Sequence, residues 1–307
     1  MISGSRVGVI VLCYNGIDLT MECLASLHHQ DYPHLDILVV DNNSQDNTVE
    51  VVRQAYPQVK VIAASQNLGY AAGNNLGMQV ALQSGADLIF LVNNDTRLAP
   101  DCVTTLGRAL EADSHIGVIG PMVHTWRSRV ISSAGGMINW WQADAVNVGM
   151  GEPDRGQYPA RAVDFINGCG LMVTRRAIER VGMLDPQFFM YWEETDWCAR
   201  IRRAGLTCRF EPAARMEHKA SIETQELGPT TIYYMTRNRL LFFARHTPWP
   251  LKAVVLARAI RGALRGISQL RQAGRIGHAQ AVEVALRHAW QKRWGYTDPS
   301  AWGVVSA

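Results

Sequence analysis

Along residues 7–91 two spacings of apolar residues alternate. VGVIVLC (7–13), DILVVD (36–41), VKVIAA (59–64) and DLIFLV (87–92) are short runs rich in Val and Ile, the composition of buried strands. Between them lie DLTMECLASLHHQ (18–30), DNTVEVVRQAYP (46–57) and YAAGNNLGMQVALQSG (70–85). These place apolar residues three and four apart, as amphipathic helices do. Asp18 and Asp46 stand where helix N-caps are expected, and Gly85 where a helix would stop. Strand–helix–strand alternation predicts an α/β fold with right-handed crossovers and a mainly parallel central sheet flanked by helices.

Pro100 marks the expected start of a further helix, after which the pattern loosens. Residues 116–165, with Gly pairs and three tryptophans, predict an irregular section of mixed sheet. FINGCGLMVTRRAIERVGMLD (165–185) predicts a Gly-rich turn, a strand and a short helix, and from about Thr230 the chain is expected to be largely helical.

Composition adds a compartment and a charge asymmetry. The 307 residues are 48% hydrophobic and 19% charged, which suits a globular protein with a sizeable core. Six cysteines include no C-x-x-C, and several sit in apolar runs, as small buried residues of a reducing, cytoplasmic setting do. No apolar run approaches the roughly 18 residues needed to cross a bilayer. The first run passes into Tyr14-Asn15-Gly16 without a cleavage-site pattern, so it reads as a strand and not as a signal peptide. Residues 245–307 carry ten Lys/Arg against two Asp/Glu, a net of +8, while residues 1–244 carry twenty against twenty-five, a net of −5. We therefore expect a basic helical C-terminal segment (245–307) appended to a sheet domain (1–244). It would meet either an anionic membrane surface or, as a packing helix, the domain itself or a second copy in a homodimer. An acidic body without a recognised binding motif argues against nucleic acid as a partner.

In parallel sheets ligands bind beyond the carboxyl ends of the strands. Here those ends are Tyr14-Asn15, Asp41-Asn42-Asn43-Ser44, Ser65-Gln66-Asn67 and Asn93-Asn94-Asp95, all polar. Each alone is compatible with a simple turn, but four on one rim point to a site. Neither G-x-G-x-x-G nor G-x-x-x-x-G-K-[ST] follows the first strand, which argues against a dinucleotide oxidoreductase or a P-loop enzyme. CYNGIDLT (13–20) also lacks the Lys or Arg that a nucleotidyltransferase would use on a triphosphate. No zinc-ligand spacing is present. In YWEETDW (191–197), Glu193, Glu194 and Asp196 open a predicted helix between aromatic residues. Acids in a first turn offset the helix dipole, and aromatic walls that partly desolvate a carboxylate improve it as a general base.

VVDNNSQDNT, NLGYAAGNNLGM, FLVNNDT, FFMYWEETDWCARIRRAG and YYMTRNRL together resemble family 2 glycosyltransferases with the GT-A fold. The likeness is to the rhamnosyltransferase-like branch that builds bacterial surface polysaccharides. It covers roughly residues 5–245, with the motifs in the family's order. The resemblance implies inverting transfer of a sugar, rhamnose being one candidate, from a nucleoside diphosphate to a hydroxyl of a glycan or lipid-linked acceptor. It also implies a divalent cation, Mg²⁺ or Mn²⁺, and work at the inner face of the cell membrane. Tyr14, Asn15, Asp41, Asn67 and Gly69 match nucleotide-sugar contacts, and Asn93 and Asn94, of a D-x-D-like loop, are expected to bind the nucleotide sugar with them. Asp95 matches the last acid of that motif, as the metal ligand, with His218 of EHKAS joining it. Asn93 stands where the family often has its first acid, which predicts weak metal binding in the absence of nucleotide. Glu194 matches the usual base; Glu193 and Asp196 remain alternatives because the pair is Glu-Glu instead of Glu-Asp. Arg237, of an R-N pair, matches a position near the substrate phosphates. A GT-A domain that binds nucleotide sugar or glycan without catalysis, within an assembly, is the rival reading.

Overall fold

The structure is a computed structural model and describes residues 4–219 and 227–302. The expected alternation is present: β1 (Val7–Cys13), α1 (Ile17–His28), β2 (Leu35–Asp41), α2 (Thr48–Ala55), β3 (Lys60–Ala63), α3 (Gly69–Gln83) and β4 (Leu88–Asn93). Gly85, at φ +89, follows the end of α3 as a stop residue should. Neither aspartate is an N-cap. Gly16 and Asn47 hold those places, and Asp18 lies in the first turn of α1. Asp46 still accepts from the Thr48 backbone, at 3.1 Å, and from Gly16 N, at 2.9 Å, so it tethers two loops.

The chain continues through β5 (Thr96–Leu98), α4 (Cys102–Ala112), β6 (Ile116–Thr125), β7 (Ile131–Ser133), β8 (Gly136–Asn139), β9 (Asp144–Asn147) and β10 (Arg161–Val163). Next come β11 (Gly170–Thr174), α5 (Arg175–Val181), α6 (Glu193–Arg203) and β12 (Thr207–His218). It then runs through α7 (Pro229–His246), α8 (Lys252–Gln272) and α9 (Ile276–Trp290). The main sheet has the order β10-β12-β6-β11-β4-β1-β2-β3. β1, β2, β3 and β4 pair in parallel, as do β6 and β12, while β11 and β10 run against them.

Alternate residues of the strands feed two cores, as the twofold repeat of side chains requires. Ile10 and Val40 face Met78 and Ala81 of α3, whereas Val9, Val11 and Val39 face Leu24 and Leu27 of α1. Gly77 lets α3 lie close to the sheet: a Cβ there would stand 2.5 Å from Ile10 and 2.9 Å from Val40. α7 passes through residues 244 and 245 without a break and packs on α8 and α9. The helical segment is thus a continuation of the last helix against the sheet domain. Among the described residues no helix is long and apolar enough to cross a membrane.

Candidate active site

The register sets the strand ends side by side. Cys13 pairs with Asp41, Asp41 with Ala63, and Leu12 with Asn93, so the four polar ends form one rim. Loop-to-loop hydrogen bonds fix it. Asn15, at φ +60, donates its N–H to Ser44 Oγ (2.8 Å) and accepts from Gln45 N through Oδ1 (2.8 Å). Asn94 Nδ2 donates to Thr20 Oγ1 (3.0 Å), bracing the turn that leaves Tyr14 half exposed. Asp41 is buried, accepting from Ser44 N at 3.1 Å.

Asn42 is a hub that the sequence reading did not single out. Buried, it donates to Asn67 Oδ1 and to the Gly69 carbonyl, both at 3.1 Å, and accepts from Leu68 N at 2.8 Å. Its place in the polar run after β2 was the available signal, but Asn is equally a turn residue. The hub holds Gly69 at φ +72, where a Cβ would meet Phe189 Cδ2 at 2.4 Å and its carbonyl oxygen at 2.5 Å. Only glycine allows the start of α3 to touch the loop ahead of the acids.

That loop is strained. Phe189, Tyr191 and Trp192 have φ of +63, +66 and +75, a region that costs an ordinary L-residue roughly 1–2 kcal/mol. Asn238 and Arg237 hold it. Asn238 Nδ2 donates to the carbonyls of Phe188, Met190 and Tyr191 at 2.7–2.9 Å. Arg237 spends all five N–H donors inside the fold, on Asn238, Tyr233 and the carbonyls of Gly295, Gln187 and Phe188. This corrects the expectation that Arg237 meets substrate phosphates: no donor is left for them.

Of the three acids in the first turn of α6, Asp196 is engaged elsewhere. It is buried, with Oδ2 2.7 Å from Arg200 Nε and Oδ1 2.8 Å from His246 Nε2. Burial alone would raise its pKa, yet the His246 hydrogen bond and the Arg200 charge hold it below the usual carboxylate value. The expectation of Asp196 as a base is corrected accordingly. Glu193 is buried as well, and its Oε2 finds no hydrogen-bond partner. Burial, then the Glu194 carboxylate, push its pKa well above normal. Glu194 is only partly buried, with Oε1 accepting from Thr195 Oγ1 at 3.2 Å, and burial raises its pKa too. Tyr70 donates its hydroxyl to the Gly168 carbonyl; its own pKa is raised by burial and by Glu193 and Glu194.

Asp95 and His218 come together through β12, which pairs His218 opposite Thr96 of β5. His218 Nε2 lies 3.1 Å from Asp95 Oδ1, and both side chains are mostly buried. Cys169, whose carbonyl accepts from Asn93 N at 3.1 Å, connects this pair with the acids. Burial pushes its thiol pKa up, and the charges of Asp95 and Glu194 both add to that. A polar rim, an Asp–His pair and a half-buried carboxylate thus adjoin one another around the 167–169 turn. Asn93 contributes its backbone to this junction. Ala220 and Ser221, which end EHKAS, lie outside the described residues.

The family model for glycosyl transferase family 2 matches residues 8–182. The chain belongs to glycosyl transferase family 2. An N-acetylglucosaminyl-diphospho-decaprenol L-rhamnosyltransferase of Mycobacterium tuberculosis is 27% identical to this glycosyltransferase over 278 residues, covering 82% of the chain and 90% of that relative. A dTDP-rhamnosyl transferase of Shigella flexneri is 24% identical over 222 residues, covering 69% and 72%. Among solved structures, a mannosyltransferase from Pyrobaculum calidifontis in complex with GDP-Man and Mn²⁺ superposes with a TM-score of 0.61 at 17% identity, covering 94% of this chain and 88% of that one. S. aureus TarS in complex with UDP-GlcNAc gives 0.58 at 15% identity, covering 94% and 88%. The glycosyltransferase therefore has the GT-A fold expected from its motifs.

Proposed function

We propose that this glycosyltransferase inverts the sugar centre in a single displacement, with Glu194 as general base and the Tyr14–Asp41–Asn67 rim as the nucleoside seat. The carrying observation is the contrast among the three acids: Asp196 is ion-paired and Glu193 sealed in, while Glu194 reaches solvent beside the Asp95–His218 pair. The acceptor oxygen attacks the sugar's anomeric carbon as the bond to the diphosphate breaks. Its proton passes to a Glu194 carboxylate oxygen, whose raised pKa makes it a stronger base than an exposed carboxylate. One base suffices, because inversion needs no covalent glycosyl-enzyme.

Asp95 and His218 offer an oxygen and a nitrogen 3.1 Å apart, a donor set that fits a shared divalent cation. Among the described residues no group of three His, Cys, Asp or Glu is available, so phosphates of the nucleotide would have to supply the remaining ligands of a cation held by Asp95 and His218. Asp95 and His218 would hold Mg²⁺ or Mn²⁺ there, where it would neutralise charge developing on the leaving diphosphate. The names of the two rhamnosyltransferase relatives support a dTDP-sugar donor and a lipid-linked acceptor.

Product formation by the wild type and by Glu194→Gln and Asp95→Ala, assayed with dTDP-, UDP- and GDP-sugars, tests the scheme. Both variants should lose activity, Glu194→Gln by about 10²–10⁴-fold. Wild-type turnover in either would remove that residue from the mechanism. Nucleotide binding without transfer or donor hydrolysis by the wild type would favour the binding-module reading instead.

A further inference from the structure

α8 is anchored to the body by Val255, Ala259 and Ile267 and turns its other face to solvent. That face lacks the mixed polar character usual for a surface helix. Val254, Arg258, Arg261 and Arg265 succeed one another at spacings of four, three and four and therefore line up along it, all exposed. Beside this row stand Ile260 and Leu264, the latter 55% exposed. At the start of the helix Trp249 is 82% exposed and Leu251 50%. Arg258 lies over the exposed ring of Trp141, 3.6 Å from its centroid, and donates to its carbonyl at 3.2 Å. Charge of one sign dominates the region: from Leu227 to Val282 the sequence has nine Lys/Arg and no Asp or Glu.

We propose that the outward face of α8, together with Trp249 and Leu251, docks on the headgroup layer of a bilayer containing anionic lipid. Three observations choose this occupant. A row of arginines complements anionic headgroups, and aliphatic and indole side chains between them suit the acyl boundary just beneath. The same aliphatic residues would gain nothing from a nucleic acid backbone. A second copy meeting this face about a twofold axis would bring one arginine row against another, with no acid on the face to relieve the repulsion. The inner side of the same helix borders a cavity that reaches the residue ahead of the acids. A cavity of about 280 Å³ between α7 and α8 has Gly262 and Gly266 of α8 on one wall and Trp192 on another, and Trp192 directly precedes the acids. The link to catalysis rests on the proposed transfer to a lipid-linked acceptor; the docking itself does not.

Co-sedimentation of the full chain with vesicles of phosphatidylcholine, with and without phosphatidylglycerol, tests the proposal. The protein should pellet with the mixed vesicles and stay in solution with phosphatidylcholine alone, and added salt should release it. Arg261→Ser with Arg265→Ser should weaken binding roughly fivefold for each arginine, and Trp249→Ser should weaken it further. These positions are exposed, so the variants fold, and unchanged nucleotide binding by each would verify that. Equal pelleting with both vesicle types, or no response to the double variant, would overturn the proposal. So would a dimer that Leu264→Ser dissociates, since the face would then belong to a second copy. A protein that pellets as expected but transfers no sugar would keep the docking surface and reject the functional reading.

Discussion

At the scale of single residues, two neighbouring glutamates have different fates because one side chain points into the protein and the other partly out. Glu193 has a folded-state pKa raised above its unfolded value, so it favours folding while protonated and that contribution is lost as pH rises through the folded value. Glu193→Gln should therefore melt at a higher temperature than the wild type at neutral pH, and the gain should shrink on acidification. Differential scanning calorimetry across pH would read this, and a Tm below wild type at neutral pH would contradict it. With Glu194 as the proposed base, the same upward shift should place the acidic limb of the rate profile above the ordinary carboxylate range, because a base works deprotonated. The sequence could mark these acids as unusual through their aromatic neighbours. It could not rank them, since Asp196 is disqualified by His246, fifty residues away.

At the scale of elements, the site depends on one loop held from two sides. Asn238→Ala removes three hydrogen bonds to the carbonyls of the 188–191 segment and should cost about 1–3 kcal/mol. It should lower kcat with little change in donor KM, because the rim proposed to seat the nucleoside is built from other strands. Gly69→Ala attacks the same loop from the opposite side, through its contact with Phe189, and should cost a similar amount. Denaturant unfolding together with steady-state kinetics separates the two effects; an Asn238→Ala enzyme with wild-type kcat would show that the loop needs no such clamp. β1 to β4 and α1 to α3 were legible because their apolar spacing is local, whereas the three-residue β5 was not. β12 was not, since TCRFEPAARMEH has no clean alternation and its course is set by β6 on one side and β5 on the other. The role of Arg237 was hidden for a related reason: a motif shows that a residue matters, and only the packed fold shows which groups its donors meet.

At the scale of the whole molecule, the proposed scheme has one half of the sheet seat the nucleotide, while the other half carries His218 to Asp95. Ligand and cation should then stabilise the fold jointly. In thermal-shift measurements Mn²⁺ alone should raise Tm little, a nucleoside diphosphate somewhat more, and the two together by more than the sum. A large shift with Mn²⁺ alone that Asp95→Ala abolishes would contradict a coordination sphere completed by phosphate.

All six cysteines are buried, and burial pushes up the Cys13, Cys23 and Cys169 thiols, Cys23 to about 12. In the native state such thiols react with alkylating reagents only when the structure around them opens. Cys13 borders Asp41, Cys23 borders Thr96, and Cys169 sits between Asp95 and Glu194. The protein thus carries three natural stopwatches, one under each part of its site. Alkylation of Cys169, followed by mass spectrometry, would time how often the floor of the candidate site opens, with no mutation needed.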